Sequence, residues 1–417
     1  MSRLSLPVLA LLVATPRAPS VVRSPMSQRV DLNAAVDSIV DRQIATDAFS
    51  GVVLFTDPGG RTYQRAGGVA NRQTGARMTP DTKLQIASIT KLYTQIAVRQ
   101  LEQAGKLSLS DTVGKFLPNY HNATVRSRVT VDQLLRHRSG VGSFWNERFF
   151  ANRAKLRTID DYIALFQDDS LLFAPGTNEA YSNGGYVLLG AIVERASGMS
   201  YHDYVRQHVF GPAGMTETMP YDSRTPRSNA AVGYTFQSFA GALTGDRRLA
   251  GMGPRPGYDS AGAAWAATPG GSPPATPPLA ARMRLVGPDG KELSPEDARA
   301  AMTQHVAGGR ERSPNVQAST SGPAGDDYST AGDFVKLARA LVGRKLLDSA
   351  RTAAVLGDRY ARGGDFRAAG GGPGSNAEFS IFPNGDVVVV LSNYDPPAAT
   401  TIAQFIRSRL SPPAAPR

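Results

Sequence analysis

Two hydrophobic rhythms alternate along this chain. Residues 32–45 read as a helix, and Gly51–Thr56 (GVVLFT) is an unbroken apolar run that predicts a buried strand. Asp57-Pro58-Gly59-Gly60 follows as a turn and residues 61–70 as a second strand, closing a hairpin. From 88 to 103 the apolar side chains Leu92, Ile96, Ala97 and Leu101 fall on one stripe of a long helix that stops at Gly105. Thr130 and Thr158 stand where they can cap helices over 131–136 and 159–166. The run 184–196 is apolar enough to be a buried helix ending at Gly198. Helical periodicity returns over 329–341. Strands at 378–382 and 387–392 then flank the turn Pro383-Asn384-Gly385-Asp386, and a last helix covers 399–410.

Strands therefore lie at both ends of the chain and helices between them. The economical assembly is an α/β fold of the α+β type. One antiparallel sheet is built from the N- and C-terminal hairpins, with terminal helices on one face and a mostly helical lobe on the other. Between residues 236 and 325 the composition shifts to Gly, Ala, Pro and Ser, which resists a packed core and predicts a long insertion. No internal repeat is visible.

Composition narrows the chemistry. The chain has 417 residues, 41% of them hydrophobic and 19% charged, enough to bury a sizeable core. It has no Cys, so thiolate nucleophiles, disulfides and Cys-ligated metals are excluded. The five His do not suggest a metal set, because His202 and His208 lie six apart and share no helical face. No metal and no cofactor is expected. The net charge of +11 is scattered, with Arg3, Arg17, Arg23 and Arg29 at one end and Arg407, Arg409 and Arg417 at the other. No basic run interleaved with aromatics appears, which argues against nucleic acid and leaves envelope-surface association open. At the start, Arg3 precedes the apolar stretch 4–14 and the polar exit Thr15-Pro16-Arg17. Residues 1–25 thus resemble a signal for export to the periplasm or medium, either cleaved or kept as an anchor. The stretch is too short to span a bilayer as a helix.

Candidate chemistry begins where the long helix does. In Ser88-Ile89-Thr90-Lys91, residues three apart share a helical face, so the Lys91 amine can reach the Ser88 hydroxyl. A serine needs a base to become a nucleophile, and a buried lysine of lowered pKa can be one. None of the other lysines has a serine three residues before it. Two Tyr-x-Asn segments could complete such a site, Tyr120-His121-Asn122 and Tyr181-Ser182-Asn183. A tyrosine hydroxyl can relay a proton, and an asparagine can hold an amide with donor and acceptor together. The second segment is preferred for its Pro175-Gly176 turn before and apolar helix after. His137 reads as a hydrogen-bonded structural histidine, and Asp326-Asp327 as a solvated loop.

These motifs in this order resemble the serine β-lactamase and penicillin-binding superfamily. The branch is the one holding class C β-lactamases, D-alanyl-D-alanine carboxypeptidases and related esterases. The similarity rests on Ile86-Ala87-Ser88-Ile89-Thr90-Lys91, Gly105-Lys106-Leu107-Ser108-Leu109-Ser110-Asp111, Leu134-Leu135-Arg136-His137-Arg138-Ser139-Gly140, Tyr181-Ser182-Asn183, Tyr328-Ser329-Thr330 and the hairpin 376–393. It runs from about 31 to 410, apart from the insertion.

The resemblance implies a β-lactamase-like fold and an exported hydrolase acting through a Ser88 acyl-enzyme. Lys91 would be the base, Tyr181 its partner, and Asn183 a substrate-binding residue. The substrate would be a small molecule or peptide: an ester, a D-amino-acid amide or a β-lactam. The superfamily's third motif, Lys or His followed by x-Gly, aligns with Ala368-Ala369-Gly370. The strand amide of the oxyanion hole would then lie near Gly370 and Gly371, but the cation is replaced by Ala368. Arg367 is adjacent and should point to the opposite face of its strand. The missing cation also motivates an alternative, a non-catalytic protein that binds peptidoglycan fragments in the same cleft.

Overall fold

The computed structural model describes residues 25–225, 227–235, 311–312 and 319–410. The N-terminal segment expected to direct export, and most of the expected insertion, lie outside the described residues. Helix α1 (Pro25–Ala45) leads into strands β1 (Gly51–Thr56) and β2 (Thr62–Gly67). The helices α2 (Thr90–Gln103), α3 (Asn183–Ser197), α4 (Ala331–Val342) and α5 (Ser349–Ala361) follow, among shorter ones. Strands β3 (Phe366–Gly372), β4 (Ser375–Ile381) and β5 (Val387–Ser392) precede the last helix, α6 (Ala398–Leu410).

The five strands form one antiparallel sheet in the order β2-β1-β5-β4-β3. Its first and last strands pair near its centre, Gly51 with Ser392 and Thr56 with Val387. Every residue of β1 and β5 is buried, because both faces of the sheet are covered. Val52, Leu54, Val389 and Leu391 join the core of the helical lobe. Val53, Phe55, Val388 and Val390 pack with Val36 and Val40 of α1 and with Ile402 and Ile406 of α6. The fold is the mixed antiparallel architecture that the pattern implied.

Helix α2 is the hub of the lobe. The sequence shows one apolar stripe, but Tyr93, Thr94 and Val98 outside that stripe are buried as well, since α3, α5 and neighbouring turns surround it. Thr130 and Thr158 both form capping boxes, with Gln133 and Asp161 respectively. Gly198 ends α3 in the left-handed conformation at φ 76°. The short strand Leu84–Gln85 pairs with Tyr328–Ser329, tying the approach to α2 to the start of α4.

One boundary needs correcting. Residues 319–325, assigned by composition to the insertion, are part of the packed lobe. Ser319 N donates to Arg153 O (2.9 Å), and Thr94 Oγ1 donates to Pro323 O (2.7 Å). Their small side chains let the backbone thread between helices: a Cβ on Gly190 would stand 2.0 Å from Pro323 Cγ. The Gly/Pro/Ser composition that suggests looseness here serves close packing instead.

Candidate active site

A single 3₁₀ turn, Ala87–Ile89, joins the Leu84–Gln85 strand to α2 and lifts Ser88 to the helix N-terminus. Ala87 just before it holds φ 45°, a left-handed conformation costing a non-glycine residue about 1–2 kcal/mol. Ser88 Oγ lies 2.6 Å from the Tyr181 hydroxyl and 3.1 Å from Lys91 Nζ. The Lys91 ammonium also donates to Asn183 Oδ1 (2.8 Å) and to the carbonyl of Ala324. Its charge faces the rings of Tyr181 and Tyr186, 4.8 and 5.5 Å from their centroids.

Burial governs the protonation of this group. Desolvation brings the Lys91 pKa down from 10.5 to about 7, while the Asp326 carboxylate pulls the other way. Burial also pushes the Tyr181 hydroxyl well above its ordinary range, so it stays protonated even though its bond to Ser88 opposes that shift. The site thus holds a neutral phenol, a serine hydroxyl and an amine able to exist without its proton at neutral pH.

The Tyr181 segment is braced from behind. His137 holds φ 56°, and its Nδ1 accepts from Ser182 N (3.1 Å) while its carbonyl accepts from Ala180 N (3.0 Å). Its ring lies against that of Tyr181, centroids 4.7 Å apart. Burial, then the nearby Lys91 charge, lowers the His137 pKa to about 3, so the ring is neutral and Nδ1 is free to accept. Ser182 caps α3 by accepting from Gly185 N (2.7 Å), which places Asn183 at the first turn facing Lys91. The rival segment does other work: Asn122 caps the helix Ala123–Arg128.

The third wall is strand β3. A Cβ on Gly370 would stand 2.2 Å from Ile86 O and 2.9 Å from Ser88 N, so only glycine lets this edge strand approach the Ser88 backbone. Gly371 follows, exposed at the sheet edge. The register through β4 is regular, pairing Ala368 with Phe379 and Gly370 with Ala377. Ala368 therefore shares the face of Gly370, whereas Arg367 sits on the other face and donates to Asp365 Oδ2 (2.7 Å). No bulge brings Arg367 round to replace the missing cation.

The sequence reading misjudged the acid pair beside these residues. Asp326 and Asp327 are not a solvated pair. Asp327 is 2% exposed, accepts from Ser321 Oγ (2.7 Å), and has its pKa raised to about 7 chiefly by burial. Asp326, also raised by burial, accepts from Gln85 Nε2 (2.7 Å) and biases Lys91. Both belong to the packed approach to α4, where the carbonyl of Asp327 accepts from Ile86 N (2.9 Å). Only the adjacency of an Asp pair to Tyr328-Ser329-Thr330 could have signalled this. Among the described residues, no group of three or more His, Asp or Glu could hold a metal ion. His202 and His208 stay apart in role: His202 is half-buried near the Ser321 backbone, and His208 packs on Tyr204.

Residues 36–410 match the Beta-lactamase family. The chain belongs to that family. Penicillin-binding protein 4* of Bacillus subtilis is 34% identical over 195 residues, covering 45% of this chain and 42% of that protein. The match thus spans less than half of that relative's length. A penicillin-binding protein from Bacillus halodurans has a structure superposing at TM-score 0.64 with 24% identity, covering 89% of this chain and 98% of that one. The D-amino acid amidase of Ochrobactrum anthropi SV3, solved with D-phenylalanine, superposes at TM-score 0.63 with 22% identity, covering 91% and 97%. These two likenesses establish the β-lactamase and penicillin-binding fold for this member of the Beta-lactamase family.

Proposed function

We propose that this protein is a serine hydrolase that works through an acyl-enzyme on Ser88. The observation that carries the reading is the pair of bonds on Ser88 Oγ, to Tyr181 at 2.6 Å and to Lys91 at 3.1 Å, beside an amine whose pKa is lowered to about 7. Neutral Lys91 takes the Ser88 proton as Oγ attacks the substrate carbonyl. The oxyanion forms between the Ser88 and Gly371 amides at the positive end of α2. The proton passes from Lys91 through the Tyr181 hydroxyl to the leaving group, which departs as an amine or alcohol. Water then hydrolyses the ester on Ser88, with the same groups acting in reverse. Asn183 orients the substrate's amide through its Nδ2 while Oδ1 steadies Lys91.

The substrate class is an ester, a D-amino-acid amide or a β-lactam, in keeping with the names of the relatives. The working compartment is the cell envelope or medium. Incubation with a penicillin should add its whole mass to the intact protein, and with a fluorophosphonate the probe mass less HF, fluoride being displaced; Ser88→Ala should abolish either adduct. Folded wild-type protein that takes up no such probe overturns the reading. Ala368 favours a second one, a binder of peptidoglycan fragments without turnover. That reading requires Ser88→Ala to leave ligand affinity intact, and ester hydrolysis lost in Lys91→Ala disposes of it.

A further inference from the structure

We propose that Asp326 is the specificity carboxylate of the Ser88 site, placed to pair with an ammonium group that the substrate carries close to its scissile carbonyl. The inference rests on Ser88 being the nucleophile and names the class of substrate it attacks. Position is the first argument. Asp326 N donates to Ala87 O (3.3 Å), and a Cβ on the preceding Gly325 would lie 3.5 Å from Ala87 C and 3.9 Å from Ser88 N. The Gly325–Asp326 backbone is therefore laid directly on the backbone of the nucleophile. The carboxylate is near enough to act electrostatically on both Lys91 and Tyr181.

Availability is the second argument. Asp326 Oδ1 takes one hydrogen bond, from Gln85. Its second oxygen receives none from the described residues, and no cation of the described residues pairs with it. The residue keeps partial solvent exposure. That second oxygen is not among the buried, unpartnered atoms of the described residues, so it is open to solvent and to an incoming ammonium. Asp326 also holds φ 82°, a conformation that glycine would adopt without strain. An acid kept at a strained position beside a nucleophile points to use.

The opposite wall supplies the contrast. Ala368 puts a methyl group on the face of Gly370, and Arg367 is turned away onto Asp365. The cleft thus offers a substrate carboxylate no partner on β3 and offers a substrate cation a carboxylate beside Ser88. Recognition is then coupled to activation. The Asp326 charge favours protonated Lys91, so a substrate ammonium that pairs with Asp326 offsets that pull and frees the amine to act as base.

Three p-nitroanilides of D-alanine test this: the free amine, the N-acetyl derivative, and the N,N-dimethyl derivative, which keeps the charge with bulk near that of acetyl. Wild-type kcat/KM should favour both charged substrates over the N-acetyl one by roughly ten- to a hundredfold. Asp326→Asn should bring the three within about threefold of one another, and Asp326→Glu should restore part of the preference. A wild-type enzyme without the preference, or a folded Asp326→Asn that retains it, overturns the assignment of Asp326. Fluorophosphonate labelling of wild-type Ser88, read in parallel, separates the two proposals. Labelling without amine preference defeats only the Asp326 assignment, whereas failure to label defeats the acyl-enzyme reading itself.

Discussion

Lys91 can lose its proton near neutrality because the lobe closes over it. Burial favours the neutral amine and Asp326 favours the charged one, with burial the larger effect. The proton must be absent for Lys91 to act as base, so kcat/KM should rise with pH through about 7 and then level, as a pH–rate profile on a neutral ester would record. Asp326→Asn removes the opposing charge and should move that limb to lower pH. Asp327 gives a stability counterpart. Its folded pKa is raised above the unfolded value, so the folded state holds the proton more tightly and stability falls as pH rises from about 4 to about 7. Asp327→Asn keeps an acceptor for Ser321 without the buried charge. It should raise the melting temperature by a few degrees at pH 8 and much less at pH 4.

At the scale of elements, β3 bears most directly on the site. Gly370→Ala would drive a methyl carbon into Ile86 O at 2.2 Å, forcing the strand off Ser88. We expect a loss of about 1–3 kcal/mol in chemical denaturation and at least a tenfold drop in acylation rate, because the two amides then no longer face one oxyanion. This strand also shows what the sequence could and could not reveal. GVVLFT reads as a buried strand because its residues are strand formers flanked by turn residues, and Thr130 and Thr158 announce their helices by capping chemistry. FRAAGGG has no such pattern. Its strand exists because β4 offers a ladder and glycine permits close approach to Ile86 and Ser88, both long-range causes, and in the sequence only the motif resemblance points to it. Helix α5 hid behind Gly357, whose φ of 76° and ψ of 173° kink it mid-course. Ser88, Lys91, Tyr181 and Asn183 were legible because short spacings and a Pro-Gly turn carry them. Asp326 was not, since an acid pair in a Gly-rich stretch looks solvated until the tertiary fold buries it.

At the scale of the molecule, α6 is fastened to the sheet by a charge pair in the second core. Arg407 Nη1 lies 2.8 Å from Glu378 Oε2, each side chain only 6% exposed, and Thr400 donates to the other carboxylate oxygen (2.8 Å). Arg407→Met strands that carboxylate and should cost about 3–5 kcal/mol in urea unfolding. The double variant Glu378→Met/Arg407→Met should recover most of the loss.

The pairing of β1 with β5 in the sheet also dictates an order of events. Ser392 donates to Ser50 O across 342 residues of sequence, and β1 has no partner on its inner edge until β5 arrives. During synthesis, a strand apolar on both faces must wait for nearly the whole remaining polypeptide before it can be covered. Contacts so distant in sequence make for slow folding, and the waiting segment has the character that nucleates self-association. Recovery of active protein should therefore fall steeply with concentration in refolding, and a holding chaperone should spare it.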